Sequence, residues 1–134
     1  MSASLAVAPT LPDLRGIRLL LAEDEFVIAF GLQSELEGLG ATVTVVDSVA
    51  DGLDLCARDF DAAVLDVRLA DGDVYPLADR LRAAGVPVVF HSAHADVSSL
   101  TLRYPGTFAM RKPCWGSMLA GTVEQSLGRA AYAR

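Results

Sequence analysis

The chain has 134 residues, 52% of them hydrophobic and 21% charged, which is one domain's worth and enough to enclose a core. Its net charge of −6 argues against a nucleic-acid surface, since phosphate backbones demand an excess of Lys and Arg. No apolar run approaches the roughly 20 residues that cross a bilayer, and residues 1–9 lack the basic start of a secretion signal, so a cytoplasmic protein without membrane association is expected.

Residues 1–14 carry Pro9 and Pro12 and no sustained periodicity; a flexible leader is expected there, with one domain over 15–134. Ile17 to Ala22 reads as a buried strand running into Glu23-Asp24-Glu25. In the helix that follows, Phe26 to Leu39, the residues Ile28, Leu32, Leu36 and Leu39 share one face, and Gly40 stops it. Ala41 to Val46, rich in β-branched residues, is the second strand. Ser48 caps a short helix with Asp51 three residues on, and Val49, Leu53 and Cys56 are expected to face inward. Cys56 and Cys114 have neither a disulfide framework nor metal-ligand spacing.

Ala62 to Leu65 is an apolar run too short for a helix, bounded by polar groups and the Asp71-Gly72 turn signal, so it predicts a third strand with Asp66 at its C-terminal end. Pro76 opens a helix through Ala84, with Leu77, Leu81 and Ala84 inward and Gly85 ending it. Val86 to Phe90 is the fourth strand and leads into His91-Ser92-Ala93-His94. A weak polar helix is expected over Asp96 to Arg103, and a fifth strand over Thr107 to Met110 before Arg111-Lys112-Pro113. The last helix spans Gly116 to Ala130, with Leu119, Val123 and Leu127 four apart.

Strands alternating with helices imply βαβ units, a parallel sheet and right-handed crossovers. Five of each predict an α/β, flavodoxin-like (βα)5 three-layer sandwich with strand order 2-1-3-4-5, in which ligands gather beyond the C-terminal strand ends. The ends of the first, third, fourth and fifth strands carry Glu23 and Asp24, then Asp66, Ser92 and Lys112, with steps of 42, 26 and 20 residues from Asp24 onward. Each residue alone is commonplace; the ordered set is specific. With it, the chain from Arg15 on resembles the receiver domain of two-component response regulators.

The resemblance implies that Asp66 is the phosphoacceptor, that Glu23-Asp24 is the acid pair, and that Ser92-Ala93 and Lys112-Pro113 are the hydroxyl and lysine motifs. It also implies Mg²⁺ held by Asp24, Asp66 and the backbone carbonyl of Arg68, with Glu23 acting mostly through water. The residue types make physical sense of this. Carboxylates crowded at one sheet edge repel each other, and a phosphoryl group adds to the charge. Mg²⁺, which binds carboxylates, carbonyls, waters and phosphate oxygens, offsets it. Lys112 adds a mobile point charge, and Ser92 a small hydroxyl donor.

The function so implied is in-line attack by Asp66 on a phosphohistidine, giving an aspartyl phosphate that switches binding of a downstream protein. The donor would be a sensor histidine kinase or a histidine phosphotransfer protein. Beyond self-phosphorylation and dephosphorylation no enzyme activity is expected, and a homodimer through the last two strands and helices is compatible with the pattern. About 22 residues follow Lys112, room for one helix, so a single-domain regulator is expected.

Two features depart from the family. Most receivers place Tyr or Phe three residues before the lysine, where this chain has Ala109; Phe108 should face the opposite side of its strand. Phe90, two residues before Ser92, is the alternative aromatic, and 91–103 is expected to be the mobile element, its helix ordering on phosphorylation. His94 and Arg68, each two residues beyond a site residue, are expected to slow or steer the hydrolytic water, whereas His91 is expected to pack. Two other readings compete. A receiver-like scaffold that binds without phosphorylation would not need the intact acid, serine and lysine set. A flavin or nucleotide enzyme on this fold needs a Gly- or Ser/Thr-rich phosphate loop after the first strand, where residues 23–25 are acids.

Overall fold

The computed structural model describes residues 11–93, 97–112 and 114–132, with side chains described through residue 128. Alternating apolar runs and amphipathic segments fold into a parallel sheet of β1 (Arg18–Ala22), β2 (Thr42–Val46), β3 (Ala62–Leu65), β6 (Val88–Ser92) and β7 (Phe108–Arg111), in the order β2-β1-β3-β6-β7. Counting these five alone, the order is 2-1-3-4-5, as expected. Strands β4 (Arg68–Leu69) and β5 (Gly72–Asp73) form a small antiparallel pair beside it. The helices are α1 (Phe26–Gly38), α2 (Val49–Leu53), α3 (Tyr75–Ala83), α4 (Val97–Arg103) and α5 (Gly116–Tyr132).

Strand periodicity divides the core in two. Leu20, Ala22, Ala63, Leu65, Val88 and Phe90 point to one face, where Leu77, Ala78 and Leu81 of α3 and Leu100 of α4 cover them. Leu19, Leu21, Ala62, Val64 and Val89 point to the other, under Leu32 and Leu36 of α1 and Leu119 and Val123 of α5. Burying each such leucine contributes roughly 1.5–3 kcal/mol. Both faces of β3 are covered and all four of its residues are buried, which holds Asp66, the next residue, at a rigid strand end.

Several boundaries differ from expectation. Leu14 is fully buried and its N–H donates to the Leu39 carbonyl at 2.9 Å, so the end of the expected leader is docked on the domain. Gly40 makes room for it: at φ 105° the glycine backs onto Arg15, and a Cβ there would lie 2.8 Å from the Arg15 Cα. Helix α2 stops at Leu53, and a 3₁₀ turn over Ala57–Asp59 follows. Leu55 and Ala57 then pack against the core, which leaves Cys56 exposed rather than inward. The fourth main strand lies two residues later than expected, at Val88–Ser92, because Val89 and Phe90 take the register opposite Phe108 and Ala109. Ser92 is therefore on the strand itself. Of the expected loop at 70–73, residues 70–71 are the turn of the β4–β5 pair and Gly72–Asp73 are β5 itself.

Candidate functional site

Four parallel strands deliver the site residues to one edge of the sheet. β1 ends at Ala22, and Glu23 follows with its N–H donating to the Val46 carbonyl at 3.0 Å, while the Asp66 N–H donates to the Ala22 carbonyl at 2.9 Å. Sheet-like hydrogen bonding thus continues one residue past each strand and fixes both acids. The backbone N–H of Lys112 donates to the Ser92 carbonyl at 2.9 Å, which locks the ends of β6 and β7 together.

Lys112 is the centre of the charges. Its Nζ lies 2.6 Å from Glu23 Oε1, 2.9 Å from Asp66 Oδ2 and 3.9 Å from Glu25 Oε1. The contact to Asp66 is a hydrogen bond; that to Glu23 is an ion pair outside hydrogen-bonding angles. Glu23 is 2% exposed. Burial pushes its carboxyl above the ordinary range, against the pull of Lys112 and of the Glu25 N–H, which donates to its Oε2 at 3.2 Å. Burial draws the lysine down, but its contacts with Glu23 and Asp66 outweigh that and raise it. Charge therefore holds this lysine protonated in the cleft.

Glu23, Asp24 and Asp66 each bring a carboxylate oxygen into one group, all within 4.8 Å of one another, with Asp24 exposed and the other two buried. Three hard oxygen donors, one of them open to solvent, match the demands of Mg²⁺. The expected acid triad thus forms. Glu25, which the chemistry of the sequence left aside as part of the acid run, also reaches toward Lys112. Arg68 is held by pairing with Asp73, its exposed side chain 3.8 Å from the Asp73 carboxylate.

Ser92 is buried and Ala93 exposed at the end of β6. His94 and Pro113 lie outside the described residues. His91 is buried, 2% exposed, with Nε2 lacking a hydrogen-bond partner among the described residues. Burial, and then the charge of Lys112, lower its pKa to about 4, so it packs as a neutral ring. Phe108 and Ala109 do face opposite sides, joining the second and first core clusters respectively.

No family model matches the sequence, and no curated protein does. Solved structures do. A response regulator receiver protein from Sinorhizobium medicae is 27% identical with a TM-score of 0.77, covering 88% of this chain and 99% of its own. The signal receiver domain of a modulated diguanylate cyclase from Desulfovibrio desulfuricans is 26% identical with a TM-score of 0.75, covering 93% of this chain and 100% of its own. The receiver domain of a sensor histidine kinase from Pseudomonas aeruginosa, whose structure has a magnesium ion coordinated in the active site cleft, is 26% identical with a TM-score of 0.73, covering 84% of this chain and 98% of its own. In fold and strand order, and over nearly their whole length, the chain is similar to solved response regulator receiver domains.

Proposed function

We propose that the chain takes a phosphoryl group from a phosphohistidine onto Asp66 and that the modified form switches the binding of a partner protein. The observation that carries this is Lys112 Nζ lodged between Glu23 and Asp66, beside a triad of carboxylates. In the transfer an Asp66 carboxylate oxygen forms a bond to phosphorus as the phosphorus–nitrogen bond breaks, and the electron pair returns to the imidazole ring. Lys112 exchanges its contact with Asp66 for a phosphoryl oxygen, and the Ser92 hydroxyl donates to another. Glu23 keeps Lys112 anchored as it moves. Asp24 and Asp66, with the Arg68 carbonyl, would hold Mg²⁺, Glu23 contributing through water. Bound there, the ion would neutralise the charge gathered on the carboxylates and the transferred group.

The donor of this reading is a sensor histidine kinase or a histidine phosphotransfer protein in the cytoplasm, and α1 offers it an approach. Phe26, Val27 and Phe30 are 80%, 79% and 61% exposed, Phe26 and Phe30 stack with ring centroids 6.1 Å apart, and a cleft of about 350 Å³ joins Phe26 to Glu23 and Asp24. Exposed aromatic residues clustered beside a reactive group mark a protein-docking surface. The chain acts stoichiometrically on itself, not as a turnover enzyme.

Intact-mass spectrometry after incubation with acetyl phosphate, with and without Mg²⁺, tests the reading. The expected result is a Mg²⁺-dependent gain of one phosphoryl group that Asp66→Asn abolishes. A gain that persists in Asp66→Asn, or no gain from either acetyl phosphate or a phosphohistidine protein, overturns it.

A further inference from the structure

Ala109 leaves the space above β7 without the ring that most receivers carry, and the structure fills the neighbourhood from α4. Phe90 and Ala109 are register partners on adjacent strands, and both belong to the core beneath α3 and α4. Tyr104, just past the end of α4, is 3% exposed in that same core. Its ring lies 5.3 Å from that of Phe90 and 5.9 Å from that of Tyr75 at the start of α3. The Arg103 guanidinium sits over the Tyr75 ring at 3.8 Å, and that of Arg82 over the Tyr104 ring at 5.5 Å. Tyr104 is tied at both ends: its N–H donates to the Leu100 carbonyl at 2.8 Å, and its carbonyl accepts from the Thr107 hydroxyl at 2.6 Å.

We propose that the ring column Phe90, Tyr104 and Tyr75, closed on the outside by Arg103, couples the Ser92 end of β6 to the surface of α3 and α4. It stands in for the ring missing at Ala109. The inference rests on the phosphoacceptor reading and adds the route by which the site is heard. Phe90 lies two residues before Ser92 and so moves with it on the same strand. A ring packed on a second and third ring passes a displacement on, because a dense core shifts between discrete arrangements and does not absorb it. Tyr104 has a reason to possess a second arrangement. Its hydroxyl is buried without a well-aligned hydrogen bond among the described residues, although Asp79 and Arg103 lie close enough to act on it, a situation that favours a rotation completing a bond to one of them. Arg103, stacked on Tyr75 yet itself exposed, converts the movement of the column into a change of surface charge and shape.

The test compares wild type, Tyr104→Leu and Arg103→Gln by intact mass and by amide hydrogen exchange, before and after acetyl phosphate with Mg²⁺. All three are expected to gain the phosphoryl group. The wild type is expected to change its exchange in both 75–83 and 97–103. Tyr104→Leu should lose the change in 75–83. Arg103→Gln, which leaves the buried rings in place and so keeps the fold, should diminish it. A response in 75–83 of wild-type size in both variants overturns the column, as does a phosphorylated wild type whose two segments do not change. A wild type whose mass does not change brings down the phosphoacceptor reading itself, and the column with it.

Discussion

Lys112 and Glu23 show what a single charge does in this cleft. Their side chains are 7% and 1% exposed, so each is the other's solvent. Removing one member of such a pair strands the other, at a cost of about 3–5 kcal/mol, whereas removing both charges can be nearly neutral. Lys112→Ala is therefore expected to lower the free energy of urea unfolding strongly at pH 7, and less toward acid pH, where Glu23 takes up a proton and the stranded charge disappears. Glu23→Gln combined with Lys112→Met should recover the share owed to Glu23, while Asp66, which also loses the lysine, keeps its own; a double variant as unstable as the single one would show that the pair is not the source. His91 gives a second residue-scale expectation. Its folded pKa of about 4 lies below the ordinary 6.5. Between those values the unfolded chain holds the extra proton, and stability falls as pH drops, by at most about 1.4 kcal/mol per unit. His91→Leu should flatten the pH dependence of unfolding between pH 4.5 and 6.5. The types and order of the site residues were legible in the sequence, because strand ends and charge can be read from local pattern. That Glu23 is spent on Lys112, and that the packed His91 leaves its Nε2 without a hydrogen-bond partner among the described residues, were not. Both depend on which side chains face each other across strands 20 or more residues apart.

At the scale of elements, α2 and α3 meet through a missing side chain. A Cβ on Gly52 would come within 2.6 Å of Leu77 Cδ2, and Leu77 is 1% exposed, so its side chain would have to shift against the core around it. Gly52→Ala is expected to destabilise by about 1–3 kcal/mol through overpacking, even though alanine is the better helix former. Gly38, at the end of α1, meets nothing within 4 Å, so Gly38→Ala should instead stabilise by roughly 0.4–1 kcal/mol. Opposite signs in chemical denaturation would establish that close helix approach, not helix propensity, set the glycine at 52; equal signs would refute it. The same contact bears on legibility. Periodicity marked α1 and α3 to within a residue of their observed ends, since each has a full apolar stripe. Five-residue α2 has too few turns for a stripe, so spacing alone carried Cys56 inward where Leu55 packs. The β4–β5 pair escaped notice because two residues per strand leave no period to read; the Asp71-Gly72 signal marked only its turn.

The whole molecule gathers negative charge, −6 overall, and concentrates part of it where Glu23, Asp24 and Asp66 converge. Folding is what brings these three together, since they are up to 43 residues apart in sequence; the unfolded chain keeps them separated and solvated. A divalent cation that binds the folded cluster and not the unfolded chain must therefore stabilise the fold by mass action, about 1.4 kcal/mol at a tenfold excess over its dissociation constant. General screening also relieves the repulsion, but it follows ionic strength and not ion identity. The discriminating measurement is the thermal midpoint against Mg²⁺ concentration, beside NaCl at matched ionic strength. Mg²⁺ is expected to raise the midpoint beyond the NaCl series, with chelation reversing the gain. Asp24→Asn removes the one exposed carboxylate of the triad without touching the buried pair of Glu23 and Lys112. It should erase the specific gain and leave the NaCl response intact. Equal midpoints in the two salts for the unmodified protein would mean that Lys112 alone balances the cluster, and that no cation is recruited until a phosphoryl group adds its own charge.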